Sequence, residues 1–485
     1  MPYLKEILKN IEVEQCIGDI NISVNNICFD SREADNNFLF IAVRGINVDG
    51  HNYIDKAIEK GINSVVCEEL PLKINNKITY IKVKDSKFSL GQIASNYYGN
   101  PSSKLKLIGI TGTNGKTTIS TLLFQLFKNL AYKTGLFSTV RNYINDKEII
   151  ATHTTPDAIQ LNSLLKAMVD EGCQYCFMEV SSHAIDQDRI SGLKFSGGVF
   201  TNITHDHLDY HETFDKYLKA KKRFFDSLLV DSFVLSNTDD KNGKIMTQNT
   251  KAKKYTYGIK AFADFKAKIL ESHFDGTLLT IDGLELWTKF IGDFNASNLL
   301  AVYAVAILLG QEREKILSTI SNLNTVEGRF ESIRSSNGII VIVDYAHTPD
   351  ALKNVINTIN KIRGEKGQLI TVVGAGGDRD KAKRPMMGKI VSELSDKIIF
   401  TSDNPRNEDP LSIIEEIKSG VNSKKEGKIL TIENRREAIK TAYMIANMGD
   451  IILIAGKGHE TYQEIKGVRY DFDDKKIIKD LMKIE

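Results

Sequence analysis

The passage 105–130 constrains the fold more than any other part of the chain. Residues 105–110 form an apolar run of strand type, and residues 117–130 repeat their apolar positions at helical spacing. Between them lies the turn Thr111-Gly112-Thr113-Asn114-Gly115-Lys116-Thr117-Thr118. A strand passed directly into a helix opens a βαβ unit, which calls for parallel neighbours and helices on both faces of the sheet. The turn carries chemistry as well. Its glycines let the backbone curl so that amide hydrogens face phosphate oxygens, and the helix start adds the positive end of its dipole. Lys116 is placed to neutralise the β- and γ-phosphates, and the Thr117 hydroxyl to bind Mg²⁺. ATP is the expected ligand. One departure sets this loop apart from generic kinase and GTPase loops: Ile110 stands where a glycine is usual, with Gly109 and Gly112 on either side.

Strand-like and helix-like stretches keep alternating beyond this unit. Strands are expected at 134–139, 176–180, 198–203 and 233–236, with helices at 157–171, 214–229 and 295–309. The rhythm resumes with strands at 339–344, 369–373, 397–401 and 451–455. Before it, apolar runs at 38–43, 64–67 and 78–83 end in the turn-rich Gly99-Asn100-Pro101-Ser102-Ser103. A chain of 485 residues exceeds one core of ordinary size, so the reading is an α/β protein of three domains. These are an N-terminal α/β domain at 1–103, a central P-loop domain with a doubly wound, mostly parallel sheet at 104–328, and a Rossmann-like C-terminal domain at 329–485.

Charge excludes several partner classes. The 64 basic residues nearly balance the 62 acidic ones, so no global field draws the chain to nucleic acid or to an anionic membrane, and phosphate binding must be local. Five cysteines, an odd and small number, fit reduced thiols, and Cys173 and Cys176 beside an apolar strand read as buried thiols. The opening MPYLKEILKN has no signal-peptide core and no apolar stretch reaches spanning length, so a cytoplasmic protein is expected.

The loop TGTNGKTT and twelve further segments together carry a family resemblance: FDSRE and DGHNYI near Ser31 and His51, HTTPD, MEVSSHA, TNITHDHLDYH, YLKAKK, GDFNASN, EGRFE, VDYAHTPD, GAGGDRD, DNPRNEDP and GKGHE. Over nearly its whole length the chain resembles the Mur ligases, ATP-dependent enzymes that join amino acids to the peptidoglycan precursor. The resemblance is to the branch that adds the third residue. It implies that the first domain holds UDP through Ser31, with His51 a second candidate, that Thr154, Thr155, Ser181, Gln187 and Arg189 contact the muramoyl-dipeptide, and that Gly112, Thr113, Asn114, Gly115, Lys116, Thr117 and Thr118 hold ATP. Asn295, Arg329, Asp344 and His347 would close over the nucleotide.

Glu179, ending an apolar strand, and His207, in the loop after the next, are of the kinds that coordinate a divalent ion. Taken singly, a strand-end Glu is usually an exposed loop residue and a lone His a core side chain. The resemblance makes both Mg²⁺ ligands, with Thr117 and with Lys221 as a carbamate derived from CO₂. Carbamylation turns a cation into an anion and needs the neutral amine, hence a lowered pKa. The incoming amino acid is read from Asp403-Asn404-Pro405-Arg406. Diaminopimelate carries a far-end carboxylate that lysine lacks, which a guanidinium can pair bidentately. By resemblance this motif marks meso-2,6-diaminopimelate-adding members, with Arg379, Gly456 and Glu460 as companions, and Lys116, Lys221, Glu179 and His207 as the catalytic set. The expected substrate is UDP-N-acetylmuramoyl-L-alanyl-D-glutamate, phosphorylated on its γ-carboxylate, and a monomer is expected. Competing readings are the same reaction with L-lysine, a folylpolyglutamate-synthase-like ligase, and a nucleotide-hydrolysing switch.

Overall fold

The computed structural model describes residues 1–45, 48–151 and 153–483; Ile46, Asn47, Thr152, Ile484 and Glu485 lie outside the described residues. Three large sheets succeed one another along the chain, and a two-stranded hairpin of Tyr462–Ile465 and Val468–Asp471 follows them. In the first, Asn26–Cys28, Phe38–Ile41, Ser64–Cys67 and Thr79–Val83 run parallel, and Val13–Ile17 closes one edge antiparallel. Leu39 and Ile41 face one apolar cluster with Leu90 and Ile93 of the helix Ser86–Tyr97; Phe40 and Val65 face another. That is the period-two alternation of a sheet covered on both sides.

In the central sheet Lys106–Thr111 lies between Tyr175–Glu179 and Gly197–Phe200, parallel to both, with Thr134–Phe137 and Phe233–Asn237 next outward. The helix Lys116–Asn129 buries Ile119, Leu122, Leu123 and Phe127 against this sheet. Beside it lies Asp293–Leu308, whose run from Leu299 to Ala306 is wholly buried, as expected of a helix apolar all round. Sequence reasoning missed the sheet's far wing, a meander of Phe265–His273, Gly276–Ile281 and Leu284–Thr288. A signal was there: Asp282 and Gly283 both take positive φ between the paired Ile281 and Leu284, the two-residue hairpin turn that Asp-Gly favours.

The third sheet has parallel strands Ile340–Asp344, Ile451–Ala455, Leu369–Val373, Lys397–Phe400 and Ile429–Thr431, with Glu331–Arg334 antiparallel at one edge. Alternate residues of each strand feed two cores, one under the helices Pro349–Arg363 and Lys383–Leu394, the other under Arg435–Met444 and Asp474–Met482. The C-terminal ends of the central and third sheets face each other across one cleft of about 1530 Å³, the position where open α/β sheets bind ligands. Among the described residues no helix is long and apolar enough to cross a membrane.

Candidate active site

The phosphate loop leaves its strand at Thr111 and needs its glycines for space. A Cβ on Gly112 would stand 1.8 Å from Thr201 Oγ1, and Gly115, at φ +87°, would bring one to 2.6 Å from Asn298 Oδ1. Lys116, first residue of the following helix, bends back so that Nζ donates to the carbonyls of Gly112 (2.9 Å) and Thr113 (2.8 Å). Beneath it, on the helix Phe214–Asp226, Lys221 donates to the same Gly112 carbonyl at 2.9 Å and lies over the Tyr217 ring. Lys221 is 1 % exposed, so it is not one of the lysines on the solvated face of that helix. Burial, and then the nearby Lys116 charge, hold its amine well below the ordinary lysine range. Lys116 is lowered too, by burial first, with Glu179 and Asp206 pulling the other way.

Glu179 ends its strand fully buried rather than exposed in a loop, and its carboxylate accepts from the Thr139 amide (2.7 Å) and hydroxyl (3.1 Å). The expected substrate contacts continue from it as one shelf. Thr155 Oγ1 donates to the Glu179 carbonyl (2.8 Å) and accepts from the Ser181 amide (3.2 Å). Thr154 Oγ1 meets Thr139 Oγ1 at 3.1 Å. Arg189 donates to the Thr155 carbonyl and, through two nitrogens, to Gln187 Oε1, while Gln187 donates to Tyr210. Ser181 also caps the helix Ser182–Asp186, accepting from the Ala184 amide. His207, at φ +54°, stands 3.4 Å from the Asp206 carboxylate and edge-on to His183. Desolvation keeps His207 neutral, against the pull of Asp206.

The third domain reaches this loop directly. Arg329 Nη2 donates to Thr117 Oγ1 at 3.1 Å with its guanidinium over the Tyr345 ring, and Asn114 donates to Asp350 at 3.1 Å. Asp344 accepts from the Phe330 amide at 2.6 Å, and burial raises its carboxyl to about 6. His347 donates from Nδ1 to the Tyr345 carbonyl; burial, with Lys383 second, lowers it to about 4. Asn295 does not cap its helix. It lies in the first turn of Asp293–Leu308, donates to the Ile291 carbonyl (3.0 Å) and lines the cleft.

Across the cleft the strand Lys397–Phe400 runs into Asp403-Asn404-Pro405-Arg406. Asn404 donates to Glu460 (2.8 Å) and accepts from Lys457 Nζ (3.1 Å) and the Glu464 amide (2.9 Å); Lys457 Nζ also meets Glu460 at 3.0 Å. Sequence reasoning missed Lys457, fully buried, although it stands inside the quoted GKGHE; one lysine in a glycine turn gives no sign of facing a carboxylate. A Cβ on Gly456 would come within 2.6 Å of the Asp403 carboxylate. Arg406, at φ +50°, donates to the Gly377 carbonyl at 2.6 Å, while Arg379 on the facing loop is exposed. Arg384, fully buried and unforeseen, ties these loops: it is bidentate on Glu408 (2.9 Å each), donates to Glu416 and holds the Gly376 carbonyl.

Not every expected residue joins the cleft. Ser31 is half-buried in the first domain away from it, and Gln187, Pro405 and Gly112 stand behind its lining. The second nucleoside candidate, His51, spends both ring nitrogens locally, Nδ1 on Asp49 (2.7 Å) and Nε2 accepting from the Glu68 amide (2.9 Å).

Among the described residues no three His, Cys, Asp or Glu side chains cluster as a complete metal site. That donor set fits Mg²⁺ held largely by phosphate oxygens and water, to which Thr117, Glu179 and His207 add a hydroxyl, a buried carboxylate and a neutral imidazole. A carbamate fits Lys221, since desolvation there favours the uncharged amine that CO₂ requires.

A phosphate loop in a central sheet, clamped by a second α/β domain across one cleft, defines a P-loop ligase architecture. Three family models match in succession: Mur ligase family, catalytic domain, at 23–98; Mur ligase middle domain at 110–306; and Mur ligase, glutamate ligase domain, at 328–458. A curated relative from Bacteroides fragilis, a UDP-N-acetylmuramoyl-L-alanyl-D-glutamate--2,6-diaminopimelate ligase, is 55 % identical over 481 residues, covering 99 % of both chains. A solved structure of a ligase of that name superposes with a TM-score of 0.71 at 31 % identity over 99 % of each chain. MurF ligase from Thermotoga maritima, solved with ADP, shares the fold with a TM-score of 0.61 at 18 % identity over 94 % of this chain and 97 % of its own. The chain belongs to the Mur ligase family.

Proposed function

We propose that this protein uses ATP to join meso-2,6-diaminopimelate to the D-glutamate γ-carboxylate of UDP-N-acetylmuramoyl-L-alanyl-D-glutamate, a step of peptidoglycan precursor synthesis. The observation that carries this reading is the single cleft in which Lys116, Lys221 and Glu179 face Arg406, Asn404 and Glu460 from the opposite sheet. Full-length relatives bearing this ligase name support the choice of reaction.

In this reading the loop amides and Lys116 hold the triphosphate, and Arg329 orders Thr117 beside it. Arg189 and the Thr154–Thr155–Ser181 shelf orient the dipeptide so that its γ-carboxylate meets the γ-phosphorus. Mg²⁺, when bound, offsets charge on the transferring phosphoryl group. A Lys221 carbamate would replace a buried cation by an anion that could hold Mg²⁺ beside the phosphates. Loss of ADP leaves an acyl phosphate, whose carbonyl carbon the diaminopimelate amine attacks. The C–N bond forms, the C–O bond to phosphate breaks with its electron pair leaving on phosphate, and the amine's proton passes to solvent. Glu460 with Asn404 would receive the zwitterionic centre and Arg406 a carboxylate. Catalysis is thus positioning plus electrostatics, in a cleft that excludes water once both sheets close on it. The same reading sets domain boundaries after 103 and 328, gives UDP to the first domain through Ser31, and makes the protein a cytoplasmic monomer.

The test is phosphate release from purified protein with MgATP. It is expected only when both the UDP-dipeptide and diaminopimelate are present, with L-lysine a poor substitute. Release indifferent to both would point to a nucleotide switch, and equal kcat/KM for lysine would remove Arg406 as the discriminating residue.

A further inference from the structure

The run Lys381-Ala382-Lys383-Arg384 opens the helix Lys383–Leu394 and holds three cations in three different situations. Arg384 is fully buried and spent on Glu408 and Glu416, and Lys381 lies 3.1 Å from Glu408. Lys383 is only 7 % exposed and lines the cleft, yet no hydrogen bond or ion pair holds its ammonium among the described residues. The opposite charge that acts on it most strongly is Asp206, which also acts on Lys116, His207 and His347. Asp380 and Asp209 act on Lys383 more weakly, none of the three carboxylates lies within ion-pair distance of it, and a buried ammonium is costly unless an anion completes it.

Its place says which anion. Asp206 and Asp209 belong to the phosphate-loop side, and Arg379 and Asp380, which also act on Lys383, to the amino-acid side. Lys116 and the loop amides already serve the nucleotide in the ligase reading, and Lys383 lines the same cleft from the domain that brings the amine.

We infer that Lys383 is a further catalytic residue: its ammonium contacts the acyl phosphate and stabilises the oxyanion that forms when the amine attacks. This rests on the ligase reading above. Lys383 transfers no proton or electron pair; it supplies fixed charge to the bond exchange already written, as an oxyanion hole does.

Lys383→Met keeps the length and removes the charge. The expected result is a loss in kcat of about 100-fold or more, with KM for all three substrates within about threefold and an unchanged thermal midpoint. Because the second step is the one impaired, borohydride should trap more acyl phosphate on the variant than on wild type. A kcat within about threefold of wild type, or a loss without accumulated acyl phosphate, would overturn the inference. Should the Met variant not fold, Lys383→Cys treated with 2-bromoethylamine restores a lysine-like amine. Recovery of activity, with wild type unaffected by the reagent, is expected, and no recovery would overturn the proposal. Wild-type protein that releases phosphate without both substrates would refute the ligase reading itself, whatever these variants do.

Discussion

The two walls of the cleft treat buried charge in opposite ways. On the phosphate-loop wall Lys116 and Lys221 meet at the Gly112 carbonyl, and among the described residues neither lies within ion-pair distance of a carboxylate. On the opposite wall every fully buried cation has its carboxylate: Lys457 has Glu460, Arg384 has Glu408 and Glu416, and Arg435 has Asp474 in a bidentate pair at 2.8 and 2.7 Å. The first wall leaves its positive charge open to whatever anion arrives with the ligand. Where those pairs stand the second wall is neutral already, so what it offers a zwitterion there is geometry; Lys383, buried without an ion pair among the described residues, is its exception. A positive cradle suits a triphosphate that changes charge during reaction; a balanced network suits an amino acid that must be told from its relatives.

The sharpest way to break this comparison is Lys221→Ala. Loss of a preorganised charge at the phosphate is expected to lower kcat by about 10³-fold, with short carboxylates restoring part of it; full activity would show that the first wall needs no such charge. On the second wall Asp474→Ala strands the Arg435 guanidinium. It is expected to cost about 3–5 kcal/mol of stability, read by urea unfolding, and a smaller change would mean that Asp403, 4.0 Å away, compensates. Arg406→Ala removes one charge-assisted contact of about 1.5–3 kcal/mol. That is roughly a 10- to 100-fold fall in kcat/KM for diaminopimelate, with KM for ATP unmoved; an equal loss for ATP would place Arg406 in closure rather than recognition.

The smallest effect concerns pH. Burial lowers His183 and His347 to about 4 and His459 to about 3, from an ordinary value of 6.5. Between those values and 6.5 the unfolded chain binds more protons than the folded one, so stability falls as pH drops through that window. Asp344, raised from 3.8 to about 6, acts oppositely between those values, because there the folded state binds more protons. Urea midpoints at about pH 7.5 and about pH 5 should fall toward acid, less steeply in His347→Gln and more steeply in Asp344→Asn. A midpoint that rises on acidification would contradict the burial of these imidazoles.

Much of this was legible beforehand, unevenly. The strand-loop-helix at 106–129 and most parallel strands were readable because buried parallel strands are continuous apolar runs and amphipathic helices repeat at 3.6 residues. The meander at 265–288 was missed since its alternating exposed and buried residues give no such run. Among site residues, those with a motif of their own stood out. Lys383, Arg384, Lys457 and Arg435 did not, because a lysine or arginine announces burial only through a partner brought from elsewhere in the fold.

The amino-acid sequence alone determined the order of elements, the glycine turn with its lysine, and the family segments, for these depend on neighbours a few residues apart. Tertiary structure decided which cations are spent and which stay open. Glu179 became a buried carboxylate, His51 a locally satisfied ring, and Lys221 an amine stripped of water, since desolvation and pairing are set by contacts well beyond the local neighbourhood, from His51 with Glu68 to Lys221 with Gly112.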